Sequence, residues 1–409
     1  MICLDPVLRQ QLAAYEKPKP SFNLKDYGEA DVGENHAATV QAAVGKYNFK
    51  GEDRFVLWTK DADMASIERD ASKVHNATST SRFLSSPEGF PSLLAFAGIF
   101  DGHHGHKASE YCAKGLLSHI FIEAESKKPT TILRKRRFSP TISESGAEIR
   151  LQEAVRDLTP LESIYVRAFH HAQERFGIGM ETPEMNKTVT KQISWRSLLR
   201  RKLNQTEVYG GTTACTLSLH QMENGDLLAV VANCGDSRLL TDDGTNNFRP
   251  VTRDHRPEDP RENQRIQAFV SRQEARLEQQ PKSGALRIYP GGLAVSRTIG
   301  DVGFSKAAVP TPDVYRIPLS QHLHSTESRD DSHESRERTI RFLLASDGLW
   351  DIVSNQDVGS LAARHDPDGR YTSPAKAVEA VLSECLHRTG GHHDDTTVLV
   401  VDVKIPSSA

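Results

Sequence analysis

The chain has 409 residues, with 51 Lys and Arg against 54 Asp and Glu and a formal charge of −3. That length supports one large domain or two ordinary ones with a substantial core. The near balance of charge excludes a global attraction to nucleic acid or to a membrane surface. Hydrophobic residues make up 37%, a low share that points to polar insertions around a normal core. The five cysteines, Cys3, Cys112, Cys215, Cys234 and Cys385, are scattered and never spaced as CxxC. This argues against a disulfide framework or a zinc ribbon. The opening "MICLDPVLRQQL" lacks a basic region followed by a long apolar run. No apolar run approaches the ~20 residues of a membrane span. The expectation is a soluble, reduced, intracellular protein, cytoplasmic or nuclear, with no membrane span and no nucleic-acid partner.

In chain order, apolar runs predict strands at "RFVLWT" (54–59), "SLLAFAGIF" (92–100), "TACTLSLH" (213–220), "DLLAVVANC" (226–234), "SRLLT" (237–241), "RFLLAS" (341–346) and "TTVLVVDV" (396–403). Asn224–Gly225 is a hairpin signal and "TDDG" (241–244) a second turn. Residues 213–252 therefore read as one antiparallel meander. Helices are predicted over 107–124, 161–176 and 374–389 from apolar residues recurring on one face. Ser373 can cap the last, Pro374 suits its first turn, and Gly390 ends it. Antiparallel strands with interspersed long helices predict an α+β layered domain, not a βαβ wind.

Polar stretches at 60–91, 125–158, 178–207 and 320–339 read as insertions in a single domain spanning 45–405, after an N-terminal extension over 1–44. The run "LRKRRFSP" (133–140) has the pattern of a basophilic kinase site at Ser139 or of a nuclear localisation patch, and also that of plain solvated surface. His392 and His393 read as a solvated turn.

Acidic residues gather at predicted strand ends. Glu52 and Asp53 precede one strand, Asp101 follows another, Asp236 lies at a turn, Asp347 follows a third with Asp351 four residues on, and Asp394 and Asp395 precede the last. Any one of these could be a cap or turn residue. Together they imply more. Carboxylates crowded at the ends of neighbouring buried strands repel unless a cation joins them. Oxygen-only ligands favour Mg²⁺ or Mn²⁺ over zinc. A pair of such ions can clamp a phosphoryl group and supply a hydroxide. The stretch "GIFDGHHGHKASEYC" (98–112) also offers His103, His104 and His106 beside Asp101.

The motifs "GEDRF", "FAGIFDGHHG", "YGGTTACTLSL", "VVANCGDSR", "VTRDHRPEDPRENQRI", "GGLAVSRTIGD", "FLLASDGLWDIVSNQDV" and "DDTTVLVV" resemble, in content and order, those of the metal-dependent protein phosphatases of the type 2C family. The resemblance implies a sandwich of two antiparallel sheets flanked by helices. It implies a binuclear site of two Mg²⁺ or Mn²⁺ ions held by Asp53, Asp101, the Gly102 carbonyl, Asp347 and Asp394, with Glu52 acting through water. Asp236 and Asp351, with Asp347, match a weaker third site of some members. His103 stands where the family has its general acid. The implied activity is hydrolysis of phosphoserine and phosphothreonine in phosphoprotein substrates, by attack of a metal-bridging hydroxide; a monomer is expected. Four positions depart from the family pattern. Asn48 replaces the phosphate-binding arginine, for which Lys46 or Lys50 would have to substitute as a point charge. His104 replaces a small residue, Asp395 an asparagine, and "QAFVSR" a pair of glycines. The competing expectations are a non-catalytic phosphatase-like scaffold and a cysteine phosphatase. The first would predict loss of one of the metal carboxylates, and none is lost; the second, which depends on a C-x₅-R loop, is set aside.

Overall fold

The computed structural model describes residues 23–31, 38–59, 90–126, 134–142, 149–179, 210–242, 248–281, 284–319, 338–363, 365–366, 371–391 and 393–405. Its main strands are β1 (Asn23–Asp31), β2 (Thr39–Tyr47), β3 (Arg54–Thr59), β4 (Ser92–Phe100), β5 (Ala214–Gln221), β6 (Leu227–Cys234), β7 (Arg238–Asp242), β8 (Phe248–Pro250), β9 (Asp313–Pro318), β10 (Arg338–Ala345) and β11 (Thr396–Ile405). They form a six-stranded sheet, β1-β2-β11-β10-β7-β8, and a five-stranded sheet, β9-β6-β5-β4-β3. Every pairing within these sheets is antiparallel.

Side-chain alternation explains how the sheets stack. In β11, Leu399, Val401 and Val403 face the other sheet, while Val398 and Val400 face helices. In β10, Ile340, Phe342 and Leu344 point inward, and Leu343 and Ala345 outward. In β4 the alternation slips once, because Leu94 and Ala95 both reach the inter-sheet core. A register shift between Leu93 and Ala95 accounts for it, since one extra residue flips every later side chain.

Helices α1 (Lys107–Glu125) and α2 (Pro160–Gly179) cover the five-stranded sheet through Cys112, Leu116, Ile120, Tyr165, Phe169 and Ala172. Each of the large apolar side chains contributes about 1.5–3 kcal/mol by leaving water. On the other face lie the short α4 (Asp347–Trp350), then α5 (Asn355–Ala362) and α6 (Pro374–Thr389). The Ser373 hydroxyl accepts from the Lys376 amide, and Gly390 closes α6 at φ 61°. Between these layers in sequence, α3 (Pro260–Val270) is capped by Asp259 and starts on a proline. It packs by Ile266 on a small hairpin, Arg276–Gln279 with Leu286–Tyr289.

Three expectations need correction. Residues 213–252 are two hairpins in different sheets and not one meander: β5 pairs with β6, β7 with β8, and the chain crosses between sheets at Gly235–Ser237. Gly235, at φ 120°, supports the crossing, because that backbone conformation suits glycine alone. The packed unit also begins before residue 45, since β2 lies between β1 and β11 within the sheet. Its "TVQAAVG" mixes small residues that gave no clear apolar period. The stretch 125–158 holds a hairpin, Arg134–Ile142 with Ile149–Asp157. Ser139 is on its first strand, and its side-chain surroundings lie outside the described residues. So do 60–89, 180–209 and 320–337, the bulk of the other expected insertions, and His392.

Candidate metal centre and active site

Antiparallel register brings the acidic residues to one end of the sandwich. Arg54 pairs with Phe100, Ile99 with Cys215, Ala345 with Val398 and Thr396 with Tyr47. The residues just beyond those ends, Glu52, Asp53, Asp101, Asp347, Asp394 and Asp395, therefore share one rim. Asp236 joins them from the crossing between sheets.

Ligand atoms of Asp101, Asp236 and Asp347 lie within 4.8 Å of one another. Burial and mutual repulsion raise their pKa values. Asp101 is pushed well up by burial, then by Asp347, Asp53 and Asp236. Asp236 is pushed to about 7 by burial and by Asp347. Asp347 is pushed to about 6 by burial and by Asp351. Asp53, fully buried, rises to about 6 through burial, opposed by the Thr397 hydroxyl and reinforced by Asp395. Its Oδ2 accepts from Ser346 Oγ at 2.9 Å and Thr397 Oγ1 at 2.7 Å, whereas Oδ1 is buried without a hydrogen-bond partner. A buried carboxylate oxygen left this way, beside three more converging carboxylates, fits hard divalent ions.

One cation is already present in the protein itself. Arg256 contacts Asp236 at 2.9 Å, Asp351 at 2.8 Å and Asp347 at 3.5 Å. The three carboxylates outweigh its burial and raise its pKa. Arg256 thus links the residues the sequence had suggested for a third ion. Lys50 Nζ meets Asp394 Oδ2 at 2.7 Å on the exposed side of the rim, and this bond raises its pKa against the effect of burial. Lys46 Nζ instead donates to the Asp53 carbonyl at 2.5 Å, and burial lowers its pKa. Asn48 is exposed. Of the two lysines, Lys50 has its ammonium free of the backbone and facing the carboxylates.

Asp395 points away from the acidic cluster. Its Oδ1 accepts from the amides of Phe49, Lys50 and Gly51 at 2.5, 2.7 and 3.0 Å, and its Oδ2 from Glu52 and Asp53 at 2.5 and 3.3 Å. These amides hold its pKa below the carboxylate range, against burial. The extra charge where asparagine is usual therefore shapes the loop carrying Glu52 and Asp53. The Glu52 carboxylate in turn accepts from the Gly105 amide at 2.5 Å.

A three-stranded ribbon sets the histidine. Gly211–Thr212 pairs with Gly102–His103 on one side and with Ile299–Gly300 on the other. His103 Nε2 thereby reaches Asp301 Oδ2 at 2.7 Å. Burial would lower the His103 pKa, but Asp301 outweighs it and the net shift is upward. A Cβ on Gly102 would sit 2.6 Å from the Glu52 carbonyl, so only glycine lets these loops touch. Asp301 and Arg256 were missed in the sequence reading, although both stand inside quoted motifs. Their signal was a lone charge beside glycine or proline, which names no partner. His106 is exposed and within 3.6 Å of Glu110 on its own helix, away from the chemistry. His393 is half-buried.

Cys3 and Arg9 stand at C-x₅-R spacing, the pattern on which a cysteine phosphatase depends, but both lie outside the described residues. The described cysteines, Cys112, Cys215, Cys234 and Cys385, are buried free thiols, and burial raises the pKa of each. None has the thiolate character of a nucleophile. Among the described residues no helix is long and apolar enough to cross a membrane.

Comparison with known proteins agrees with this geometry. The family Protein phosphatase 2C matches residues 173–393, more than half of the chain. Protein phosphatase 2C 50 of Oryza sativa subsp. japonica is 27% identical over 91% of this chain and 89% of its own length. Probable protein phosphatase 2C 5 of Arabidopsis thaliana is 36% identical over 43% of this chain, which spans only 36% of that protein. The solved serine-threonine phosphatase 2C from Toxoplasma gondii superposes with a TM-score of 0.51 at 19% identity, over 94% of this chain and 100% of that one. That likeness shows the fold: antiparallel sheets flanked by helices. The chain belongs to the protein phosphatase 2C family, metal-dependent protein serine/threonine phosphatases.

Proposed function

We propose that this phosphatase hydrolyses phosphoserine and phosphothreonine in intracellular phosphoproteins with two Mg²⁺ or Mn²⁺ ions at the rim. The observation that carries the reading is the convergence of Asp101, Asp236 and Asp347, with raised pKa values and an orphaned Asp53 oxygen beside them. When bound, the ions supply hydroxide near neutral pH and neutralise charge on the phosphoryl group. Asp53, Asp101, Asp347, Asp394 and the Gly102 carbonyl hold them, with Glu52 acting through water. Asp236 and Asp351 belong to the weaker site, which Arg256 spans.

His103 donates the proton that the serine or threonine leaving group needs. Asp301 positions its ring and raises its pKa against burial, which favours the protonated form an acid needs. Lys50, released from Asp394, meets the substrate phosphate as a point charge. The buried free thiols support a reducing setting, cytoplasmic or nuclear.

The deciding experiment measures phosphopeptide hydrolysis with Mn²⁺ or Mg²⁺, with and without EDTA, for the native chain and Asp347→Asn. Turnover is expected to need the metal and to collapse in the variant. Metal-independent turnover, or full activity in Asp347→Asn, would sink the mechanism. His103→Ala is expected to slow poor leaving groups most. An equal loss on p-nitrophenyl phosphate would refute its role as acid.

A further inference from the structure

We propose that His103, His104 and Asp301 form a second metal site, distinct from the carboxylate centre, for a borderline-soft divalent ion, zinc above all. We further propose that filling it shuts off hydrolysis. One ligand atom from each residue lies within 4.8 Å of the other two. The donors are two imidazole nitrogens and a carboxylate oxygen. That set suits zinc and is a poor match for Mg²⁺ or Mn²⁺.

An independent feature points to a ligand. The Asp301 side chain is only 2% exposed, and its Oδ1 is buried with no hydrogen-bond partner, while Oδ2 faces His103. A buried carboxylate oxygen of this kind calls for a proton donor or a cation. Two non-glycine residues in the group also adopt left-handed backbone, His104 at φ 57° and Asp301 at φ 50°. Such conformations are uncommon and gather at functional sites. At His104 the left-handed turn brings the ring beside that of His103, with centroids 5.6 Å apart. Without it, consecutive side chains on the strand Gly102–His103 would diverge. Phe304 packs edge-on against the His104 ring at 5.5 Å and orients it. Gly211, lacking a side chain, leaves room for the Asp301 carboxylate.

Zinc–nitrogen bonds near 2.1 Å put tetrahedral ligand atoms about 3.4 Å apart, so the group must draw in slightly. His104 is exposed, so its ring can shift against Phe304 to draw in. Water fills the fourth position, and the proton shared by His103 and Asp301 leaves to solvent. Zinc-bound His103 is a neutral imidazole whose remaining N–H is too weak an acid to protonate a leaving alkoxide, so inhibition rests on its role as the acid. Zinc binding itself does not.

The test uses the full chain in saturating Mg²⁺, dialysed against Zn²⁺, with bound zinc measured by mass spectrometry and turnover followed in parallel. His104→Asn tolerates the left-handed backbone and removes one nitrogen. The expected result is about one extra zinc on the native chain, bound at least about tenfold more weakly by His104→Asn. That variant keeps its turnover in Mg²⁺ alone and resists zinc. Asp301→Asn loses zinc as well, while Asp347→Asn, damaged at the carboxylate centre, retains it. Equal zinc affinity in the native chain and His104→Asn would overturn the site. Zinc bound at the site with undiminished turnover would overturn the inhibition and the acid role of His103 together.

Discussion

Replacing Asp395 by asparagine, the residue usual at this position in the family, should destabilise this protein. The carboxylate accepts from five consecutive backbone amides, three on Oδ1 and two on Oδ2. Asparagine keeps one acceptor oxygen, which can serve Phe49, Lys50 and Gly51. Its amino group would then face the Glu52 and Asp53 amides, donor against donor. The 2.5 Å bond to Glu52 is charge-assisted and contributes about 1.5–3 kcal/mol. Leaving that amide unpaired costs about 1–3 kcal/mol more. One effect runs the other way. Asp395 raises the Asp53 pKa, so removing its charge relieves repulsion, worth about 1.4 kcal/mol for each pKa unit recovered. The net expectation is a loss of about 2–4 kcal/mol in urea unfolding at pH 7. The pH dependence gives a second check. The folded pKa of Asp395 lies below the ordinary carboxylate value. Its stabilisation is therefore complete above about pH 4 and fades as pH falls through the folded pKa. The gap between native chain and variant should widen somewhat from pH 7 to pH 5, as Asp53 takes up its proton and the relief of repulsion is lost, and should close under stronger acid. A variant within about 0.5 kcal/mol of the native chain at pH 7, or a gap already closing at pH 6, would refute the reasoning.

Arg256→Gln leaves Asp236, Asp347 and Asp351 without their internal cation; Mn²⁺ should then raise the melting temperature more than in the native chain, and an equal rise would refute the competition. Asp402→Ala strands the fully buried Arg341 guanidinium, now paired at 2.6 Å, and should cost about 3–5 kcal/mol by chemical denaturation, with less than about 1 kcal/mol counting against it. Asp53 and Asp347 have folded pKa values of about 6 and Asp236 of about 7, above their unfolded values. Between about pH 4 and pH 7 the metal-free native state therefore holds protons that the unfolded chain has lost, and its stability should fall as pH rises through that window. Mn²⁺ affinity should climb over the same interval, because protons and ions compete for the same oxygens; calorimetric titration at pH 5.5 and 7.5 giving equal affinities would contradict this.

Much of this protein is written in local pattern. Apolar runs marked β3, β4 and β11 at or near their observed ends, and the Ser373, Pro374 and Gly390 signals placed α6 over its observed range. Acidic residues at strand ends pointed to a metal centre, because buried like charges repel until a cation or a proton joins them. Local pattern also failed in definable places. Small residues in β2 hid a strand that only its neighbours stabilise. The turn at Gly235 looked the same whether the next strand returned to its own sheet or crossed to the other.

Partners far apart in sequence were decided by the tertiary structure alone. His103 meets Asp301 across 198 residues because one short strand pairs with both of theirs. Arg256 reaches Asp351 across 95 residues, and Asp395 reaches the Phe49 amide across 346. Periodicity tells which face a side chain takes, since the backbone's own geometry sets it. Which group lies opposite depends on how the sheets register and cross, a property of the whole packed chain and of no single stretch within it.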